Sequence, residues 1–293
     1  MSTRKWIIAA VAVLLGLCVL LAVVAVPRTP AAQTADVAIL MYHAFTEDEA
    51  DAGSLYTPAS EFARQLSALR DAGYTSVGYA DLIEFVNGEG KLPEKPLLIS
   101  IDDGYQNNLD LAAPLLEKYG FCANIAVIGV SIGRTTYKDT DIPITPHFSL
   151  EDVRPWIARG VLTVTTHSYD MHQVTTVDGA GCRRGVLQMR GEAEPDYIAA
   201  LTQDYTRAQE QLAGLPGKVL PVFTYPFGAY SELSERVLQA LGVQVTVTTE
   251  GGANRLVKGE PETLQLLHRI HVWRGTKPDM LLSRIDGALQ ALR

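Results

Sequence analysis

The chain has 293 residues, 47% of them hydrophobic, with 33 acidic and 25 basic side chains for a formal charge of −8. That length suits one large domain, or one domain with an appendage. With no basic stripe to neutralise phosphates, the balance excludes nucleic acid as a partner and argues against a polybasic membrane patch, leaving a neutral or cationic molecule.

Arg4 and Lys5 precede Trp6–Val26, a run without one charged residue. At helical rise it spans about 31 Å, a full hydrocarbon core, whereas a signal-peptide core has only about 7–15 residues. Residues 1–26 are therefore expected to be a cytoplasmic stub and an uncleaved transmembrane signal anchor. By the positive-inside rule, everything after Val26 lies outside the cell membrane. Cleavage near Ala31 or Ala32 is the alternative, and would give a secreted protein. Residues 27–36, rich in Pro, Ala and Thr, read as a tether, and the domain runs over 37–293. Cys18 falls in the membrane segment, Cys122 reads as a small core residue and Cys182 sits in a loop. The compartment permits a Cys122–Cys182 bridge without requiring one, and three scattered cysteines make no zinc-thiolate site.

Val37–Tyr42 is an apolar strand that delivers His43. Thr57 and Pro58 start a helix with its apolar stripe at Phe62, Leu66 and Leu69, stopped by Gly73. A short strand (75–78) and a helix (79–86) lead to the strand Pro96–Ile101. This run of apolar and β-branched residues ends abruptly in Asp102, Asp103 and Gly104, followed by a helix over 109–119. The strand 123–128 precedes a long loop, 129–148, whose length points to function. Ser149 caps a helix led by Glu151 and Asp152. The strand 161–166 delivers His167 and, five residues on, His172, followed by a second long loop (173–194) and a helix (195–213). The strand 219–225 runs into Pro226, Phe227 and Gly228. A helix (231–240), two strands (243–248 and 264–272) and a final helix (278–292) complete the chain. Strand–helix alternation of this kind, with the long loops following strands, predicts an α/β fold: a complete or distorted (β/α) barrel of seven or eight strands with its site at the carboxyl ends.

Three strands end in ligand-type residues, Tyr42–His43, Asp102–Asp103 and His167 to His172. As parallel neighbours they would share one mouth. Two histidines and a carboxylate make a catalytic-zinc ligand set with a position left open for water. Helical geometry aligns i with i+3 and i+4, so the i,i+5 histidines must sit on a loop that curls round the ion. Adjacent Asp102 and Asp103 cannot point the same way in a regular strand, so one is free to bind the ion while the other faces substrate as a base. A cation there would keep both ionised and acidify water, which suits amide or ester hydrolysis at neutral pH. Ligand type alone leaves zinc, cobalt and nickel open. His147 and His271 read as hydrogen-bonded core or surface residues, and Lys218 and the remaining charges as solvated surface.

Ser100, Ile101, Asp102, Asp103 and Gly104 resemble the T-F-D-D-G motif of the NodB-homology polysaccharide deacetylases (carbohydrate esterase family 4). His167, Ser168 and His172 resemble their H-[S/T]-x-x-H motif with one residue inserted, and Tyr225 to Gly228 their x-P-Y-G segment. The opening Leu40, Met41, Tyr42 and His43, with the wider histidine spacing, resembles the branch acting on poly-N-acetylglucosamine. The likeness covers Val37 to about Val272, and the motifs occurring jointly in order make it specific.

The resemblance implies Asp103, His167 and His172 as ligands of a divalent metal, zinc by preference, and Asp102 as general base. It implies the Phe227 amide as oxyanion donor and His43 as general acid, with His268 (in an L-x-H context) as the alternative acid. Tyr42, Tyr105 and Tyr225 are candidate faces for sugar rings, with packing expected for at least one. Thr224 stands where many members carry the arginine that steadies the base, so what tunes Asp102 is left open. The expected activity is removal of N-acetyl groups from an extracellular or cell-wall polysaccharide by a membrane-anchored hydrolase. An O-acetyl esterase and a catalytically silent, anchored glycan-binding module are the rivals.

Overall fold

The computed structural model describes residues 33–48 and 55–293. The expected membrane segment, its cleavage sites and Cys18 lie outside the described residues. Among the described residues, no helix is long and apolar enough to cross a membrane. Cys122 and Cys182 are both free thiols.

The strands are β1 (Thr34–Tyr42), β2 (Ala44–Thr46), β3 (Tyr56–Pro58), β4 (Thr75–Ser76), β5 (Pro96–Asp103), β6 (Ala123–Val127), β7 (Leu162–Thr166), β8 (Val222–Thr224), β9 (Val245–Val247), β10 (Ala253–Val257) and β11 (Ile270–His271). The helices that matter below are α1 (Ala59–Asp71), α2 (Tyr79–Val86), α3 (Ala113–Tyr119), α4 (Leu150–Ala158), α5 (Thr175–Asp178), α6 (Glu194–Leu212), α7 (Glu232–Ala240) and α8 (Pro278–Gln290). The main sheet runs β10–β1–β5–β6–β7–β8–β9. From β1 to β9 every neighbouring pair is parallel.

The sheet curls strongly. Leu267 bridges to Val247 at the end of β9, and three residues on Ile270 pairs with Leu40 of β1. One short segment thus touches both ends of the parallel run, and the expected barrel takes the form of a curled sheet consistent with a distorted barrel. The carboxyl ends come into line: Tyr42 lies opposite Ile101, Asp103 opposite Val127, Val127 opposite Thr166, and Met41 opposite His271.

Two departures from the sequence reading have local causes. β10 pairs antiparallel with residues 34–38, so Thr34 to Asp36, read as tether, belong to β1, and Arg255 grips Asp36 through two hydrogen bonds of 2.8 and 2.9 Å. Its mixed Ala253–Val257 sequence carries no run of apolar residues to announce it. The expected continuous strand 264–272 is broken, because Leu264 closes a 3₁₀ turn and Leu266 takes φ +54°.

The core explains why β5 is central. All eight of its residues are buried, as a parallel strand covered on both faces requires. Strand alternation sends Leu97, Ile99 and Ile101 against the helix layer with Leu109, Leu116 and Ile125. It sends Leu98 inward with Val37, Ile39, Val222, Val245 and Leu267, where Leu82 and Phe85 of α2 pack against it. Ser100 and Asp102 follow Leu98 in that inward register. An acid is thus delivered to the inside of the curl.

Candidate active site

Asp103 would by alternation point away from Asp102. It takes φ +74° instead, which breaks the pleat at the last residue of β5. Such a conformation costs a non-glycine residue on the order of 1–3 kcal/mol, while fully burying one Leu or Ile side chain contributes about 1.5–3 kcal/mol. The apolar residues upstream hold the kink. Gly104 continues it at φ +88°, where an added Cβ would lie 2.8 Å from Cγ1 of Val127; only glycine fits. Ser168 (φ +72°) and Phe227 (φ +59°) are strained in the same sense at the ends of β7 and β8. Three left-handed non-glycine residues at or just after the carboxyl ends of β5, β7 and β8, at the same end of the sheet, mark a site that the fold is made to hold.

Asp103 Oδ1 lies 3.8 Å from Nε2 of His167 and 3.7 Å from Nε2 of His172. One ligand atom from each of the three residues lies within 4.8 Å of the others. His167 Nδ1 is 2.8 Å from the carbonyl oxygen of Thr224; as that oxygen can only accept, Nδ1 carries the proton and Nε2 presents a lone pair to Asp103. Burial pushes the His167 imidazole down to about 4, so it is neutral near pH 7. Asp103 Oδ1 is itself buried without a hydrogen-bond partner. A buried carboxylate oxygen with two imidazole nitrogens at distances too long for hydrogen bonds is costly unless a cation sits among them. The donor set, two imidazoles and a carboxylate, fits a divalent ion.

Asp102 is held differently. Arg269 donates from Nη1 to Asp102 Oδ1 at 2.7 Å and to Ser100 Oγ at 3.1 Å, and from Nε to the Thr248 carbonyl at 2.7 Å. Arg269 is fully buried and Asp102 is 2% exposed. Burial opposes ionisation of Asp102, but the Arg269 guanidinium, together with His167 and His43 beside it, outweighs burial and holds the carboxyl well below the usual carboxylate range. Asp102 Oδ2 faces Nε2 of His43 at 3.9 Å. The backbone of His43 is fixed by Asn108, whose Nδ2 donates to its carbonyl at 2.7 Å.

The side chain of Phe227 is 41% exposed, and its ring lies over His172 with centroids 4.2 Å apart. It caps one face of a candidate ligand. His268 is elsewhere, half-exposed, with Nε2 3.6 Å from Glu250 Oε2. Of the three tyrosines, only Tyr105 keeps its ring at the site: it is half-buried against His147 at 4.8 Å, and burial together with Asp103 raises its phenol above the ordinary value. Tyr42 and Tyr225 are corrections. Both are fully buried, Tyr42 donating to Gln65 Oε1 at 2.9 Å and Tyr225 to Glu235 Oε1 at 2.6 Å. Neither ring has a face to offer a sugar.

Arg269 is the functional residue that sequence reasoning passed over as surface. Its signal was a permanent charge set among Leu266, Leu267, Ile270 and Val272, where a cation stays only if an anion meets it. It stands against Asp102 where Thr224 offers no cation, reaching the acid from the segment just before β11. His271 lies edge-on to His43, ring centroids 5.8 Å apart, and burial lowers its affinity for a proton. It belongs to the mouth, as His147 does through Tyr105.

Residues 89–246 match the family model described as polysaccharide deacetylase. A Bacillus subtilis protein named as polysaccharide deacetylase YxkH is 27% identical over 237 residues, covering 81% of this chain and 71% of its own length. The poly-beta-1,6-N-acetyl-D-glucosamine N-deacetylase of Escherichia coli K12 is 23% identical over 226 residues, covering 73% of this chain; the match spans only 34% of that enzyme. Among solved structures, a de-N-acetylase from Aggregatibacter actinomycetemcomitans superposes with a TM-score of 0.71 at 19% identity, over 85% of this chain and all of that one. IcaB from Ammonifex degensii gives 0.66 at 22% identity, over 85% of this chain and 97% of that one. The likeness to the two structures is one of fold, and the matched segment contains the aspartate pair of β5 and both histidines that follow β7. By that match over more than half its length, the chain belongs to the polysaccharide deacetylase family.

Proposed function

We propose that this chain is a metal-dependent N-deacetylase of N-acetylglucosamine-containing polysaccharide, working outside the cell. The observation that carries the reading is the pairing of two differently wired carboxylates. Oδ1 of Asp103 faces two imidazole nitrogens and has no hydrogen-bond partner, while Asp102, one residue away, is paired with Arg269. Asp103, His167 and His172 would hold a divalent ion, zinc in our reading, which would supply Lewis acidity for the hydrolysis.

The rest is the work of the chain's own groups. Asp102 uses Oδ2 to take the proton of the water whose oxygen bonds to the acetamide carbon. The Phe227 amide, in the first turn of the short 3₁₀ segment Pro226–Gly228 where backbone donors lack intrahelical partners, faces the developing oxyanion. As the C–N bond breaks, His43 gives a proton to the departing sugar amine, and acetate and the free amine are the products. Of the three candidate tyrosines, Tyr105 is the one in a position to meet substrate.

Acetate release tests the reading. The metal-loaded protein is expected to release acetate from β-1,6-linked N-acetylglucosamine oligomers, and a chelator to abolish release. Release from acetylated xylan alone would instead make it an O-acetyl esterase. Metal-loaded protein that frees acetate from neither glycan would make it a binding module.

We place the domain outside the cell on the strength of Arg4, Lys5 and the uncharged run that follows. Full-length chain is expected in the membrane fraction, with its domain digested by protease added to intact cells or spheroplasts. Protection of the domain in that experiment would overturn this placement, and recovery of the domain in the medium would favour cleavage.

A further inference from the structure

The two histidines are five residues apart, and something must force the intervening backbone to turn back on itself. The grip comes from α6, which holds no member of the site. Asp204 of α6 accepts the amide of Tyr169 at 2.9 Å through Oδ1 and the amide of Asp170 at 2.7 Å through Oδ2. It is 8% exposed, and although burial pushes its carboxyl up to about 6, it is ionised at pH 7.5. Three residues on, the Arg207 guanidinium lies 3.9 Å over the Tyr169 ring. Four further, Gln211 donates from Nε2 to the carbonyl of Gly129 at 3.1 Å.

Spacings of three and four put these side chains on one stripe of the helix. The stripe clamps the loop against the end of β6, where Gly129 and Val130 donate to the carbonyls of Ser168 and Tyr169 at 3.0 and 2.9 Å. The fit is close: a Cβ on Gly129 would lie 2.6 Å from Cδ2 of Tyr169 and 2.9 Å from Gln211 Oε1.

We infer that Asp204, with Arg207 and Gln211 behind it, is the positioning residue that sets metal affinity, by fixing the Tyr169–Asp170 backbone so that His167 and His172 converge on Asp103. The inference rests on the metal reading above. Its physical basis is that groups holding the ligands in place determine how much ordering remains to be done when the ion arrives. A carboxylate accepting two successive amides fixes both peptide planes, which no hydrogen bond from the histidines themselves does here.

The test is zinc affinity of the metal-stripped full chain, measured by competition with a chromophoric chelator at pH 7.5, with thermal melts of the same metal-free samples. Asp204→Asn keeps the volume but presents an N–H to one of the two amides. It is expected to bind zinc about 10–100-fold more weakly, with activity recovered at high zinc. Arg207→Ala and Gln211→Ala should each weaken zinc by a smaller factor and melt as the wild type does. A role in packing alone would lower the melting temperature and leave zinc affinity unmoved. Wild-type zinc affinity in folded Asp204→Asn overturns the inference, as does wild-type affinity in both alanine variants should Asp204→Asn not fold. Wild-type protein that takes up no zinc would remove the metal reading itself, a separate result from either.

Discussion

Asp102→Asn is expected to lower kcat/KM by about 10²–10⁴-fold, roughly 3–5 kcal/mol of transition-state stabilisation, while the protein still takes up its metal. The amide oxygen of asparagine can still accept Nη1 of Arg269, which the carboxylate does at 2.7 Å, so the buried contact survives. What is lost is the second oxygen, the one turned toward His43 at 3.9 Å, which becomes an N–H donor and can no longer take a proton from water. The same substitution one residue later, Asp103→Asn, has a different expected outcome. It removes the anionic acceptor between the imidazoles of His167 and His172, and should lose metal and activity together. Metal analysis after dialysis, paired with steady-state kinetics, separates the two. An Asp102→Asn enzyme with wild-type kcat/KM would take the base role from Asp102. A loss of metal in Asp102→Asn but not in Asp103→Asn would exchange the two roles.

This division of labour was legible in the sequence because a strand fixes the direction of its side chains. An apolar run ending in two acids says that they point opposite ways; which of them points inward came from the fold, where alternation from Leu98 makes it Asp102. The left-handed turn of Asp103 that makes both usable was announced only by the glycine after it. Contacts made from another element were not legible. Arg269 reads as surface when charge is taken as a mark of solvent, yet it is fully buried, because its anion lies 167 residues away in the chain. Asp204 leaves no motif, since it binds backbone amides, which every residue except proline supplies. Tyr42 and Tyr225 stand at strand ends where burial depends on which helix packs over them. Gln65 and Glu235, the groups their hydroxyls meet, come from α1 and α7.

Arg269→Met is expected to harm stability and shift the pH dependence of activity at once. Breaking a buried ion pair from one side leaves the other charge uncompensated, at a cost of about 3–5 kcal/mol. Asp102 is that charge here, 2% exposed. In the wild type its carboxyl is held below the ordinary range: burial works against the charge, and Arg269 with the neighbouring histidines more than offsets it. A depressed folded-state pKa contributes stability that is present above the unfolded value, about 3.9, and is lost as pH falls through the folded one. Without the guanidinium the burial contribution dominates, and the folded pKa should rise above the unfolded one. The sign of the linkage then reverses. The variant should gain stability on acidification, as its buried acid becomes neutral, over a range where the wild type holds constant or loses. Activity should run the other way, because Asp102 must be ionised to take a proton, so the acid limb of the kcat/KM profile should move to higher pH in Arg269→Met. Melting temperature and kcat/KM, each followed from about pH 5 to pH 8, read the two effects. The double variant Asp102→Asn, Arg269→Met should recover part of the lost stability and none of the activity, because it removes the stranded charge and the base together. If Arg269→Met melted with the wild-type pH dependence and kept its acid limb, the guanidinium would be a packing element, and the ionisation of Asp102 would have to come from the histidines and the bound cation alone.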